Sequence, residues 1–289
     1  MGLYKYLRPD RTDVLEKLQI RFSPAVSMND AFELRPLTKG WAAWEKARDL
    51  LKERFTDFFL KADSPEKMLQ VAIANHPEAE AQFRRTMKII GPEAWFRLMR
   101  EYVQLNLEQA AREAHETIEE NWDVFAAKIL AVLGTQIGIL SLSEDPRNPV
   151  MWGNYADSSR GFVVGFDEHH PWFHQRRSEN DDFCELRKVT YVSTNSSTYF
   201  SELTAQDLGY SKLDSWSYER EWRILFPLAM GTKTSILDSF GQPVIVFPLP
   251  AACVTEVIVG SRATDDLFQT ISRICQGLPN AVSVSKGAW

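Results

Sequence analysis

The chain has few of the residues that build disulfide scaffolds. Its 289 residues include only 3 cysteines, which are far apart in the sequence and show no paired spacing: Cys184, Cys253 and Cys275. An odd number of distant cysteines indicates neither a disulfide framework nor a zinc ribbon. We therefore expect three reduced thiols in the core.

Residues typical of metal and phosphate sites are also scarce. Only 5 histidines are present, and the cluster of His169, His170 and His174 is interrupted by Pro171, so we predict no metal site there. The sequence contains no Gly-x-Gly-x-x-Gly motif, no Walker loop and no Gly-x-Ser-x-Gly elbow. These absences give no support to a phosphate-cradling loop or to an α/β-hydrolase.

Long apolar runs and excess positive charge are missing as well. No window approaches the roughly 18 apolar residues of a membrane span, and the first residues lack a hydrophobic leader, so we expect a cytoplasmic protein without membrane contact. The net charge of -6 argues against binding nucleic acid through bulk electrostatics, although a local basic groove would be compatible with it.

What the chain does contain is a hydrophobic fraction of 44%, enough for a full core. Alternating apolar residues predict strands at 3–6, 19–23, 134–143, 162–166, 188–192, 244–249 and 254–259, with a last strand near 282–284. Residues 41–132 instead show helical spacing, which predicts four or five helices. We expect a single α+β domain over 1–289, with a mainly antiparallel split sheet and a large helical insertion at 41–132. The insertion is a candidate surface for a homodimer.

The most informative segment is 216–226, which places two carboxylates two residues apart among aromatic residues. If it is extended, Glu219, Glu221 and Arg223 share one face of a strand. One interpretation is a solvated strand edge. The other is a Glu-x-Glu pair at the lip of a cleft, where burial raises one pKa and Arg223 lowers the other.

A second informative segment is 148–167. Trp152, Tyr155 and Arg160 combine aromatic stacking surfaces with a guanidinium, which suits a nucleotide. The alternative is an aromatic turn that packs on the sheet.

Several motifs, in their order along the chain, resemble a bacterial and phage family of unknown function, DUF2971. They are the segments 3–6, 22–23, 28–33, 140–143, 148–157, 161–162 and 216–223. This resemblance names a family without naming a reaction.

The order of the motifs is also similar, more distantly, to that of ADP-ribosyltransferases, which hold NAD across a split sheet. That similarity implies that Lys5, Tyr6 and Arg8 belong to the first NAD-binding motif. It also implies Ser143 or Tyr155 as the middle residue. Glu221 would be the catalytic carboxylate, and Glu219 would orient the acceptor.

We therefore expect an ADP-ribosyltransferase-like enzyme that cleaves NAD at the nicotinamide-ribose bond, as a toxin or phage-defence effector with an unidentified acceptor macromolecule. Two alternatives remain open. One is a non-catalytic nucleotide or nucleic-acid sensor, and the other is a metal-dependent nuclease or hydrolase, for which Asp167, Glu185 and Lys188 are the candidate residues.

Overall fold

The computed structural model describes residues 2–28, 38–179, 181, 183–193, 198–238 and 240–287. The 29–33 part of the motif at 28–33 lies outside these residues. The chain forms two compact units, of which the first contains Met1–Leu37, Ala127–Ser196 and Leu203–Trp289, and the second Thr38–Ala126 and Ser197–Glu202.

The first unit is built on a mainly antiparallel sheet. Its order is β12-β11-β4-β1-β3-β2-β10-β9, with β8 on β3 and β5 on β8; β6 and β7 form a separate parallel pair. The strands are β1 (Gly2–Leu7), β2 (Gln19–Pro24), β3 (Ile137–Ser143), β4 (Phe162–Asp167), β5 (Arg187–Lys188), β6 (Thr190–Val192), β7 (Ser211–Leu213), β8 (Glu221–Pro227), β9 (Thr232–Leu237), β10 (Pro243–Pro248), β11 (Val254–Val259) and β12 (Ser283–Lys286). The predicted α+β class is confirmed.

Three helices begin at capping residues that the sequence offers. Ser64, Asn148 and Thr264 each accept a hydrogen bond from a backbone N–H of the first turn. The helices are α1 (Asp13–Glu16), α2 (Trp44–Leu60), α3 (Pro65–Asn75), α4 (Glu80–Ile90), α5 (Pro92–Glu120), α6 (Trp122–Gln136), α7 (Pro149–Tyr155), α8 (Ala205–Gly209) and α9 (Asp265–Gln276). In the described chain, none of them is both long and apolar enough to cross a bilayer.

Strand β3 is the point at which the sheet splits. One of its edges pairs with β8 along the whole strand. On the other edge, β2 pairs with Gly138 and Ile139 while β1 pairs only at Ser143. Between these positions the Nζ atom of Lys5 donates to the carbonyl oxygen of Ser141 at 3.0 Å. A side chain thus takes the place of a strand where β1 and β2 diverge.

Alternation along β1 explains how both faces of the sheet are covered. Leu3 and Leu7 join the main core, whereas Tyr6 packs with Trp152 of α7 in a second, smaller cluster. Burial at every fourth residue of α9, ending at Cys275, closes the main core. All three cysteines are buried and free, as expected.

Two predicted strand boundaries were wrong, and two strands were not predicted. Helix α6 continues to Gln136, so β3 begins three residues later than the apolar pattern at 134–143 suggested. The predicted strand at 188–192 is divided into β5 and β6 at the buried Val189. Strands β7 and β9 were not predicted, because each is short or largely exposed and so lacks the apolar alternation of a half-buried strand.

Candidate functional site

A cavity of about 220 Å³ occupies the split of the sheet. It lies among β1, the end of β2, β3, α7 and the segment that leads into β8. Its walls combine tyrosines, serines, lysines and carboxylates: Tyr4, Lys5, Tyr6, Ser23, Ser27, Met28, Ile139, Ser141, Leu142, Ser143, Met151, Tyr155, Lys212, Glu219 and Glu221.

The two glutamates reach this cavity through a turn rather than from one strand. Glu219 ends a 3-10 helix that spans Asp214–Glu219, Arg220 is left-handed with φ 45, and β8 begins at Glu221. The prediction that Glu219, Glu221 and Arg223 share one face of an extended strand was therefore wrong. The solvated-edge interpretation is also wrong, because the three side chains are only 3%, 2% and 0% exposed.

Lys212 of β7 binds both carboxylates. Its Nζ atom lies 2.6 Å from Oε2 of Glu219 and 3.1 Å from Oε2 of Glu221, and 4.7 Å from the ring centroid of Trp216. Burial by itself lowers the pKa of Lys212, but the charges of Glu221 and Glu219 outweigh that effect and raise it. Lys212 is therefore a cation held between two buried anions.

Arg223 fixes the second carboxylate from behind. Its Nε and Nη2 atoms donate to the two oxygens of Glu221 at 2.7 and 3.0 Å, and Nη1 donates to the carbonyl of Gly209. Burial would raise the pKa of Glu221, but the nearby charges of Arg223 and Lys212 lower it below its ordinary value. Glu221 is thus ionised at neutral pH.

Glu219 has a different set of partners. The hydroxyl of Tyr155 donates to Oε1 of Glu219 at 2.6 Å, and the hydroxyl of Ser143 donates to its backbone oxygen at 2.7 Å. The side-chain amide of Asn148 donates to the carbonyl of Tyr218, the preceding residue. Residues of β3 and α7 therefore hold the turn that presents Glu219 to the cavity.

Lys5 also lines the cavity. Burial lowers the pKa of Lys5 to about 8; Arg11 and Arg21 act in the same direction, while Glu221 and Glu219 oppose them. The ammonium group is close enough to both sets of charges to respond to each of them.

A second cavity, of about 350 Å³, shares Lys5, Tyr6, Ser23 and Tyr155 with the first. Its wall adds three guanidinium groups: Arg8, Arg11 and Arg21.

Each of these arginines has an acidic neighbour. The closest nitrogen–oxygen distances are 3.6 Å to Asp10, 2.9 Å to Asp13 and 2.6 Å to Asp238, respectively. The Nε atom of Arg21 is buried and has no hydrogen-bond partner within the described parts of the chain. The carboxylate cavity thus adjoins a cationic one, and Lys5 lines both.

Most of the predicted site residues are brought together by the fold. Lys5, Tyr6, Ser143, Tyr155, Glu219 and Glu221 line the first cavity, and Arg8 lines the second. These residues come from four segments that are far apart in the sequence.

Three predicted residues lie elsewhere. Trp152 is fully buried, with its ring edge-on to Tyr6 and its Nε1 atom donating to the carbonyl of Pro146. It is a core residue, so the prediction that it stacks on a ligand was wrong. Arg160 is exposed, lies 3.4 Å from Asp157 and lines neither cavity. Arg223 supports Glu221 from outside the cavity wall.

Three residues that line the cavities were not predicted from the sequence: Lys212, Arg11 and Arg21. Lys212 lies on a three-residue strand, and a single lysine in so short a segment gives no periodic signal. Arg11 and Arg21 are separated in sequence and become neighbours of one cavity only through the pairing of β2 with the rest of the sheet.

The histidine cluster forms protein contacts. The two ring nitrogens of His174 lie 2.8 Å from a carboxylate oxygen of Glu185 and 2.8 Å from the carbonyl of Glu168, and His170 accepts from the backbone N–H of Trp172. Within the described ranges, no three His, Cys, Asp or Glu side chains are grouped to hold a metal ion.

Part of the chain is similar to a known protein family. A family model described as "Protein of unknown function (DUF2971)" matches residues 151–224, which include most of α7, all of β4 and the Glu-x-Glu turn. Neither the curated proteins nor the solved structures contain a match to this chain. The predicted resemblance is thus confirmed over that segment: residues 151–224 are similar to the DUF2971 family.

Proposed function

We propose that this protein is an ADP-ribosyltransferase-like enzyme that binds NAD in the two adjoining cavities and cleaves its nicotinamide-ribose bond. The proposal rests on the wall that the two cavities share. A cavity lined by two buried carboxylates opens beside one lined by three arginines, and Lys5 and Tyr155 line both.

The two cavities offer complementary chemistry to the two halves of such a ligand. Arg8, Arg11 and Arg21 suit the diphosphate, because guanidinium groups bind phosphate oxygens with directed hydrogen bonds. The carboxylates suit the nicotinamide ribose, where positive charge develops as the bond breaks. Together the cavities reach the size range of small-molecule sites, about 300–1,000 Å³.

The proposed reaction breaks the bond between C1′ of the ribose and the nicotinamide nitrogen. The bonding electron pair leaves with nicotinamide, which becomes neutral, and C1′ becomes cationic. Glu221, whose pKa is held low by Arg223 and Lys212, supplies a fixed negative charge that stabilises this cation. Glu219 accepts the proton of the attacking acceptor hydroxyl or water, and the acceptor oxygen forms the new bond to C1′.

The test is titration of NAD by calorimetry, followed by an assay of nicotinamide release with a cell extract as the source of acceptor. Wild type is compared with Glu221→Gln and Glu219→Gln, and with Glu120→Gln, an exposed residue of α5, as the matched control. We expect both site variants to bind NAD and to lose release, while the control keeps both. Absence of NAD binding in the folded wild type would contradict the proposal.

One observation favours a second candidate, a nucleotide sensor without catalysis. Lys212 and Arg223 already neutralise both carboxylates, and a site that only binds needs no free anion. The same experiment separates the two, because a sensor binds NAD or another nucleotide and releases no nicotinamide.

NAD cleavage would place the protein in the cytoplasm, where its substrate is abundant, and depletion of that substrate would suit a toxin or phage-defence effector. Expression in bacteria with measurement of cellular NAD tests this. Depletion by the wild type but not by Glu221→Gln is the expected result, and unchanged NAD in both would remove the effector role.

A further inference from the structure

We propose that the carboxylate cavity selects ligands with a cationic ring over neutral ones, and that Lys212 is an internal counter-ion that occupies the place of the ligand's positive centre and competes with it. This inference rests on the proposed function, since it identifies what the same cavity recognises. It assigns Lys212 a role in specificity.

The surroundings of the Lys212 ammonium are those of a site for organic cations. Two carboxylate oxygens lie at 2.6 and 3.1 Å, and the ring of Trp216 faces the ammonium at 4.7 Å from its centroid. Carboxylates combined with an aromatic face are the groups that bind cationic ligands in proteins. Here the chain itself supplies that cation.

Lys212 can move away from the two carboxylates while each of them keeps a hydrogen-bond partner. Glu221 keeps its two hydrogen bonds from Arg223, and Glu219 keeps the hydrogen bond from Tyr155. A buried charge that loses every partner carries a large penalty, and these remaining partners reduce it. Arg223 cannot leave in the same way, because it is fully buried and also donates to Gly209.

The length and attachment of the lysine also permit the movement. Lys212 has a flexible four-carbon stem and lies on the three-residue strand β7, outside the main sheet. Because its ammonium itself lines the cavity, a cation that enters the cavity meets it directly. Two positive charges in one small site repel each other, so the ligand and Lys212 compete for the carboxylates.

The test uses two small probes that differ in charge and share the same ring: 1-methylnicotinamide, which is cationic, and nicotinamide, which is neutral. Their dissociation constants are measured by calorimetry on the full chain for wild type, Lys212→Met and Lys212→Arg. We expect Lys212→Met to increase the preference for the cationic probe at least tenfold, because its competitor is gone. Lys212→Arg should leave the preference close to that of wild type.

An unchanged or reduced preference in folded Lys212→Met would overturn the proposal, since a merely structural lysine would affect both probes alike. If Lys212→Met does not fold, Trp216→Leu decides the matter. This substitution should weaken binding of the cationic probe selectively, and an equal effect on the binding of both probes would overturn the proposal. Neither probe contains the ribose bond that is cleaved, so the outcome is independent of whether NAD is turned over.

Discussion

The Nζ atom of Lys212 lies 2.6 Å from Oε2 of Glu219, and the two side chains are only 5% and 4% exposed. A buried ion pair of this kind is stable only while each charge keeps its partners. It joins β7 to the turn that begins β8, so the turn's position in the cavity depends on electrostatics as well as on backbone pairing. The position of Glu221 likewise depends on its buried ion pair with Arg223.

Replacing Arg223 with Met should destabilise the fold strongly. Glu221 would remain buried with one of its two cations gone, and breaking a buried ion pair typically costs about 3–5 kcal/mol. Urea denaturation at pH 7 measures the free energy of unfolding. The loss should become smaller as the pH falls, because the folded-state pKa of Glu221 lies below its unfolded value. The stabilisation by the pair is complete above the unfolded value, about 4.3, and is lost progressively as the pH falls from there toward the folded-state pKa.

The control for this prediction is the double variant Glu221→Gln with Arg223→Met. Removing both charges leaves no buried anion without a partner, so the double variant should be more stable than Arg223→Met alone. Equal or lower stability of the double variant would show that the arginine acts through packing and not through Glu221.

The sequence predicted the chemistry of this site better than its geometry. Strand alternation placed Lys5 and Tyr6 on β1 and Ser143 on β3, and these residues do converge on the cavity. The turn that leads into β8 is held by the side-chain amide of Asn148 and the hydroxyl of Ser143. These contacts depend on tertiary packing and produce no periodic pattern in the sequence.

Trp152 is a residue for which the sequence predicted the wrong role. An aromatic residue beside Tyr155 has the same sequence signature whether it stacks on a ligand or fills the core. Only its complete burial against Tyr6 decides between the two. A split sheet was expected from the sequence, whereas Lys212, which binds both carboxylates beside the split, was found only in the structure.

Gly161 should be far less tolerant of alanine than Gly153. A Cβ atom at Gly161 would collide with the backbone carbonyl of Leu7 in β1, which cannot move without disturbing the sheet beside the cavity. At Gly153 a Cβ atom meets nothing within 4 Å, and the position is an exposed turn of α7.

We expect Gly161→Ala to lose about 1–3 kcal/mol of unfolding free energy, as overpacked cores do. Gly153→Ala should gain about 0.5–1 kcal/mol, because alanine loses less backbone freedom in a helix. Thermal and urea unfolding of the two variants against wild type provide the measurement. A loss at Gly153 equal to that at Gly161 would contradict the assignment of close strand contact to Gly161 alone.

Lys5 should make the stability of the protein rise with pH above about 8. Burial lowers its folded-state pKa to about 8, while an unfolded lysine titrates near about 10.4. Between these values the unfolded chain binds more protons than the folded one, so raising the pH favours folding. The destabilisation caused by the buried charge of Lys5 is fully present below the folded-state pKa. It disappears as the pH approaches the unfolded-state pKa.

The measurement is the free energy of unfolding at pH 7, 8, 9 and 10 for wild type and Lys5→Met. The unfolding free energy of wild type relative to that of Lys5→Met should increase from pH 7 to pH 10. The tyrosines titrate in both proteins, so their contribution cancels in this difference. A difference that is constant from pH 7 to 10 would mean that the Lys5 pKa is ordinary in the folded protein.

Tyr155→Phe should impair nicotinamide release while leaving NAD binding nearly intact. The substitution removes the hydroxyl that donates to Oε1 of Glu219 at 2.6 Å and leaves the aromatic ring in the cavity wall. A hydrogen bond to a charged group is worth about 1.5–3 kcal/mol. Applied to the barrier of the chemical step, that is a loss of roughly 10–100-fold in kcat.

Tyr102→Phe is the matched control, since Tyr102 is an exposed residue of α5 in the helical unit and should keep the wild-type rate. Steady-state rates and calorimetric dissociation constants for both variants separate catalysis from binding. An unchanged kcat in Tyr155→Phe would show that Glu219 does not need its tyrosine partner to act as the base.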